Sequence, residues 1–143
     1  VNAVGDVVDP ATGEVVAGIR SEDGTGFSDA RKLVRTASGL VGGPGENTTI
    51  GVVATNATLT KAQATKLAQM AQDGLARAIY PAHTPWDWDT IFSLATGEVE
   101  GEADLIVLGA VDADVVAEAI LNAVREAEGL EDYPSVRDLE GVR

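Results

Sequence analysis

One peptide bond and four side chains carry the chemistry this sequence offers. The stretch Glu46-Asn47-Thr48-Thr49-Ile50 follows a glycine-rich run, Gly39 to Gly45, and opens straight into a β-branched segment. A threonine hydroxyl inside a chain is a weak nucleophile. At a chain start its own α-amine stands beside it and can act as general base. That amine has a reference pKa of roughly 7.7 to 8.0, so part of it is neutral near neutral pH. Thr48 could make such a terminus itself. Its hydroxyl would attack the Asn47 carbonyl, the acyl group would move from nitrogen to oxygen, and water would hydrolyse the ester. The cleavage site is then Asn47/Thr48, with Thr48 as nucleophile. Two plainer readings fit the same residues. Asn47-Thr48-Thr49 and Asn56-Ala57-Thr58 are glycosylation sequons, which needs a secreted protein, and threonines are ordinary strand residues.

Asp87-Trp88-Asp89 is the second constellation. Carboxylates at i and i+2 point the same way on extended backbone. Such a pair can hold a proton, orient an amine or bind a metal. The alternative is a solvated loop with Trp86 and Trp88 packed beneath it. With His83 as the only further ligand, a metal site is under-supplied, and His83 reads as structural. Asn2 is the third candidate, a side-chain amide of the kind an oxyanion needs. It equally suits a strand end bonding backbone.

The elements that must position these residues follow from pattern. The chain has 143 residues, 45% apolar and 23% charged, enough for one domain with a core. Aromatics make up 4%, so the core is built from Val, Ala, Leu and Ile. A net charge of -13 argues against nucleic acid and anionic membrane as partners. There is no cysteine, hence no disulfide or thiolate chemistry, and a cytoplasmic setting fits. Val1 is not a natural start, so the chain reads as the later part of a longer protein.

Val1 to Val8, a turn at Asp9-Pro10-Ala11-Thr12-Gly13, and Glu14 to Ala17 predict a hairpin. Ile19 to Phe27 predicts a surface loop. Ser28 or Asp29 caps a short helix from Ala30 to Ser38, with Leu33, Val34 and Ala37 inward. Its Arg31, Lys32 and Arg35 read as a solvated basic face, or less readily as an anion site. Thr48 to Thr55 predicts a strand buried on both faces. Thr60-Lys61-Ala62-Gln63 is a capping box for a helix to about Ile79, with Ala64, Leu67, Ala68, Ala71, Leu75 and Ala78 as its buried stripe. Thr90 to Thr96 predicts a strand, and Gly97 to Glu102 an acidic turn. Leu105 to Ala110 fits strand or helix. A helix is expected from Val111 or Asp112, its positive end facing Asp112 and Asp114, to Gly129. The tail from Leu130 packs through Tyr133 and Leu139. The mixture predicts an α/β (α+β) protein with helices layered on sheet.

Val1-Asn2-Ala3-Val4-Gly5-Asp6, Gly45-Glu46-Asn47-Thr48-Thr49-Ile50, Val53-Ala54-Thr55-Asn56-Ala57 and His83-Thr84-Pro85-Trp86-Asp87-Trp88-Asp89-Thr90 together resemble the self-cleaving, DmpA-like (P1-family) aminopeptidases. That group includes the endo-type nylon-oligomer hydrolase, whose threonine-nucleophile branch this chain most resembles. The resemblance implies a precursor cut before Thr48. Residues 1–47 would be the end of an α subunit with its linker, and residues 48–143 a β subunit. It implies Thr48 as nucleophile for cleavage and turnover, Asn2 on the reacting carbonyl, and Asp87 and Asp89 tuning the nucleophile. It implies a four-layer αββα sandwich, similar to N-terminal-nucleophile hydrolases, and a homo-oligomer that needs no metal or cofactor. The partners would be its own upstream α subunit and a small peptide or amide substrate. Many relatives carry serine at the nucleophile, and some place the asparagine where this chain has Ala3. The implied activity is amide or peptide hydrolysis. Acyl transfer of the ornithine acetyltransferase type and a non-catalytic binding module are the rivals.

Overall fold

A computed structural model describes residues 1–36 and 47–140, apart from the side chain of Glu140. The glycine-rich run from Gly39 and the inward position expected of Ala37 lie outside the described residues. The elements are β1 (Asp6–Val8), β2 (Val15–Ala17), α1 (Ala30–Leu33), β3 (Ile50–Ala57), α2 (Lys61–Ala78), β4 (Ile79–Tyr80), β5 (Thr90–Val99), α3 (Leu105–Glu126) and α4 (Val136–Glu140). The chain is a mixed α/β protein.

Its centre is a β3-α2-β5 crossover. β3 and β5 pair in parallel, with Ile50 opposite Thr90 and Ala54 opposite Leu94. α2 forms where expected. Thr60 Oγ1 accepts from the Gln63 amide at 3.3 Å, and Gln63 Oε1 accepts from the Thr60 amide at 2.8 Å, so two free helix-end donors are satisfied. Leu67, Ala71, Leu75 and Ala78 are buried along one stripe. α3 lies against α2 because Gly74 leaves room for it. A Cβ at Gly74 would stand 2.4 Å from the Ala113 carbonyl oxygen. The core joins Val53 and Ile91 of the sheet to Leu75, Val116, Ile120 and Leu121 of the helices, with Val7 and Ile79 from the second sheet. That second sheet is antiparallel in the order β2-β1-β4. Its hairpin closes as the turn residues predict, with the Gly13 amide donating to Asp9 at 2.7 Å and Gly13 at φ 75°.

Several expectations need correction. β3 is buried on one face only. Ile50 and Val52 are 67% and 64% exposed, beside Phe92 and Leu94 of β5 at 57% and 56%. Both faces are apolar in sequence, but α2 and α3 cover just one. α3 starts at Leu105, not near Asp112, because the Asp104 carboxylate accepts from the Ile106 and Val107 amides at 2.9 and 3.2 Å. Asp112 and Asp114 therefore sit turns inside the helix. α3 ends at Glu126, ahead of Gly129. β5 runs on through Gly97, at φ 72°, to Val99. α1 is a single turn capped by Asp29, and Val34 is exposed. Tyr133 is exposed too, whereas Leu139 sits in a cleft with Val15, Val16 and Phe27. Among the described residues, no helix is long and apolar enough to cross a membrane.

Candidate functional site

Thr48 sits two residues before β3, where three segments meet. Its amide donates to the Asn2 carbonyl at 2.9 Å, and the two residues form an isolated antiparallel bridge. On the other side Asn47 bridges Asp87 in parallel, and the Trp88 amide donates to the Asn47 carbonyl at 3.2 Å. One residue on, the Thr90 amide donates to the Thr49 carbonyl at 2.9 Å. The parallel pairing of β3 with β5 thus continues backward past the strand ends. It brings Asn2, Asn47, Thr48, Asp87 and Asp89 to one place. The Thr48 hydroxyl lies 2.5 Å from the Asn47 carbonyl oxygen, across the peptide bond that would be cut.

The two aspartates do different work. Asp87 Oδ1 accepts from the Val4 amide at 3.0 Å, and Oδ2 from the Thr84 hydroxyl at 2.7 Å. It ties the segment carrying Asn2 to the loop before β5. Asp89 Oδ1 accepts from the Thr49 amide at 3.0 Å, and Oδ2 from the His83 amide at 3.3 Å. The His83 Nδ1 lies 3.4 Å from the same Oδ2, and the Asp89 side chain is only 3% exposed. A buried carboxylate needs such donors. Thr49 is buried, and its hydroxyl has no hydrogen-bond partner among the described residues. Among the described residues, no three His, Asp or Glu side chains are grouped to hold a metal ion. The basic residues Arg31 and Arg35 are engaged elsewhere. Arg31 pairs with Asp29 at 2.7 Å, and Arg35 stacks 5.8 Å over the Tyr80 ring. Arg31 holds the Asp29 carboxyl below its ordinary range through that hydrogen bond.

Trp88 is 69% exposed, so it does not pack beneath the loop as the plain reading of this segment would have it. Sequence reasoning passed over three residues. Asp6 is 1% exposed and accepts from the Ile19 amide at 2.9 Å and the Ala30 amide at 2.5 Å. It fixes the loop that leads toward the cleavage segment. Gly5 lets β1 meet the Tyr80-Pro81 backbone, where a Cβ would stand 2.4 Å from the Pro81 oxygen. Thr84 holds Asp87, and its spacing three residues ahead of an aspartate was the available signal.

A family model for peptidase family S58 matches residues 4–136. The chain belongs to peptidase family S58. Among curated proteins, this S58 chain is 41% identical to an uncharacterised aminopeptidase of Mycobacterium leprae, over 94% of the chain and 41% of that protein. It is 40% identical to an uncharacterised aminopeptidase of Mycobacterium tuberculosis, over 97% of the chain and 46% of that protein. A 6-aminohexanoate-oligomer endohydrolase of Kocuria is 29% identical over 55% of the chain and 25% of that protein. The chain spans less than half the length of the mycobacterial relatives it matches.

Proposed function

We propose that this S58 member is a self-processing N-terminal-threonine amidohydrolase acting on small peptides or amides. The observation that carries the reading is the Thr48 hydroxyl 2.5 Å from the Asn47 carbonyl oxygen, at a peptide bond gripped on both sides. In the cut, Thr48 Oγ1 bonds to the Asn47 carbonyl carbon and gives up its proton. The C–N bond breaks, and the nitrogen takes a proton to become the Thr48 amine. Water then hydrolyses the ester, leaving the Asn47 carboxylate and a free Thr48 hydroxyl. The Trp88 amide, already on that oxygen, would stabilise the developing oxyanion. Afterwards the freed amine serves as base for the neighbouring hydroxyl. Substrate acyl groups pass to Thr48 and are released to water. Asp89 holds the Thr49 amide and so steadies the nucleophile. Asp87 secures the segment bearing Asn2, whose side chain would act on the reacting carbonyl.

The reading includes residues 1–47 as the end of an α subunit and residues 48–143 as the β subunit. The apolar face of Ile50, Val52, Phe92 and Leu94 supports a four-layer αββα sandwich, in which the α subunit's remaining strands would cover it. A cytoplasmic homo-oligomer completes the proposal. Acyl transfer to an acceptor amine is the alternative outcome. Incubating the processed protein with small amino-terminal amides, with and without acceptor amines, separates the two. Hydrolysis products, with an acyl ester detectable on Thr48, are expected. Transfer products alone would move the assignment to an acyltransferase, and no turnover by a cut protein would defeat both.

A further inference from the structure

We infer that His83 is a positioning residue that locks the Asp89 carboxylate and, through it, the Thr49 amide beside the nucleophile. The inference rests on the Thr48 reading above. Asp89 has two oxygens with separate tasks. Oδ1 is committed to the Thr49 amide at 3.0 Å. Held there alone, the carboxylate could still turn about its Cβ–Cγ bond. Oδ2 meets one residue twice, the His83 amide at 3.3 Å and the imidazole Nδ1 at 3.4 Å. His83 itself is at φ 54°, in the left-handed region that non-glycine residues rarely enter. The Asp89 side chain is 3% exposed and that of His83 42%, so the clamp closes from the solvent side. A proton on Nδ1 makes the contact attractive in either the neutral or the charged ring, and Nε2 is not needed.

The geometry separates side chain from backbone. His83→Gly keeps the positive φ at no steric cost and removes only the ring. His83→Asn also tolerates that φ and puts an amide N–H₂ near the position of Nδ1. In the full-length protein, followed by intact-mass time course, His83→Gly slows cutting at Asn47/Thr48 by about tenfold or more, the scale of a small misplacement at a reacting group. His83→Asn returns it to within about threefold of wild type, about 0.65 kcal/mol at 1.36 kcal/mol per decade. A second readout does not depend on cutting. In the Thr48→Ala background the Thr49 amide resonance shifts in His83→Gly and returns in His83→Asn. Cutting at the wild-type rate by His83→Gly, a Thr49 amide that does not move, or an asparagine variant as slow as glycine would each overturn the inference. An uncut wild type would defeat the Thr48 reading instead, and the Thr49 amide would still decide the role of His83.

Discussion

Asp89→Asn preserves shape and removes one charge and one acceptor, so its cost can be built from the contacts. Oδ1 faces the Thr49 amide and Oδ2 the His83 amide. Whichever way the asparagine amide turns, one of these backbone N–H groups meets another donor. A buried donor left without a partner costs about 1–3 kcal/mol. The bond that survives passes from a charged to a neutral acceptor, losing about 1 kcal/mol more. The sum is roughly 2–4 kcal/mol, with the side chain too enclosed for water to replace the lost acceptor. If that loss falls on the arrangement from which Thr48 attacks, cutting slows by about 30- to 1,000-fold at 1.36 kcal/mol per decade. Intact-mass time courses measure the rate. Urea unfolding in the uncut Thr48→Ala background measures the stability loss separately. An Asp89→Asn protein that cuts within about threefold of wild type, with an unchanged unfolding midpoint, would refute the role given to this carboxylate.

Gly74→Ala should lose about 1–3 kcal/mol in denaturant unfolding, because the new Cβ meets the Ala113 backbone oxygen at 2.4 Å and overpacking outweighs the better helix propensity of alanine. Asp6→Ala should cost about 2–5 kcal/mol by the same measurement, since the Ile19 and Ala30 amides both lose their buried acceptor. Asp112→Asn should stabilise the protein slightly at pH 7. One Asp112 oxygen is enclosed with no donor among the described residues, and desolvation raises its pKa from 3.8. A raised folded-state pKa means stability is fullest below the unfolded value and is lost as pH rises through the folded one. The gain should therefore vanish near pH 3, about a unit below the reference carboxylate value, in thermal melts across pH.

What could be read from the sequence was local. α2 was legible because Thr60 and Gln63 signal its start and alanines and leucines mark its stripe. The hairpin was legible from Asp9-Pro10 and Gly13. The start of α3 was not. Leu105 to Ala110 is apolar all round, and exposed Ile106 and Val107 erase the period that would betray a helix. The one-sided burial of β3 was hidden for a related reason: Ile50 and Val52 are apolar like Val53, and only the placement of α2 and α3 tells them apart. At the site, Thr48, Asp87 and Asp89 stood out by type and spacing, and backbone pairing between β3 and β5 explains why they meet. Asp6 did not, because its partners lie 13 and 24 residues away and a buried aspartate in sequence looks like a turn residue. His83 read as structural because nothing in sequence shows its left-handed backbone.

The most direct test of Thr48 as a self-generated nucleophile is the intact mass of the purified full-length protein. The wild type should separate into two chains whose masses place the break between Asn47 and Thr48, with threonine as the new terminus, and Thr48→Ala should remain whole. A folded wild type that stays in one piece, or a Thr48→Ala protein cut at the same bond, would contradict it.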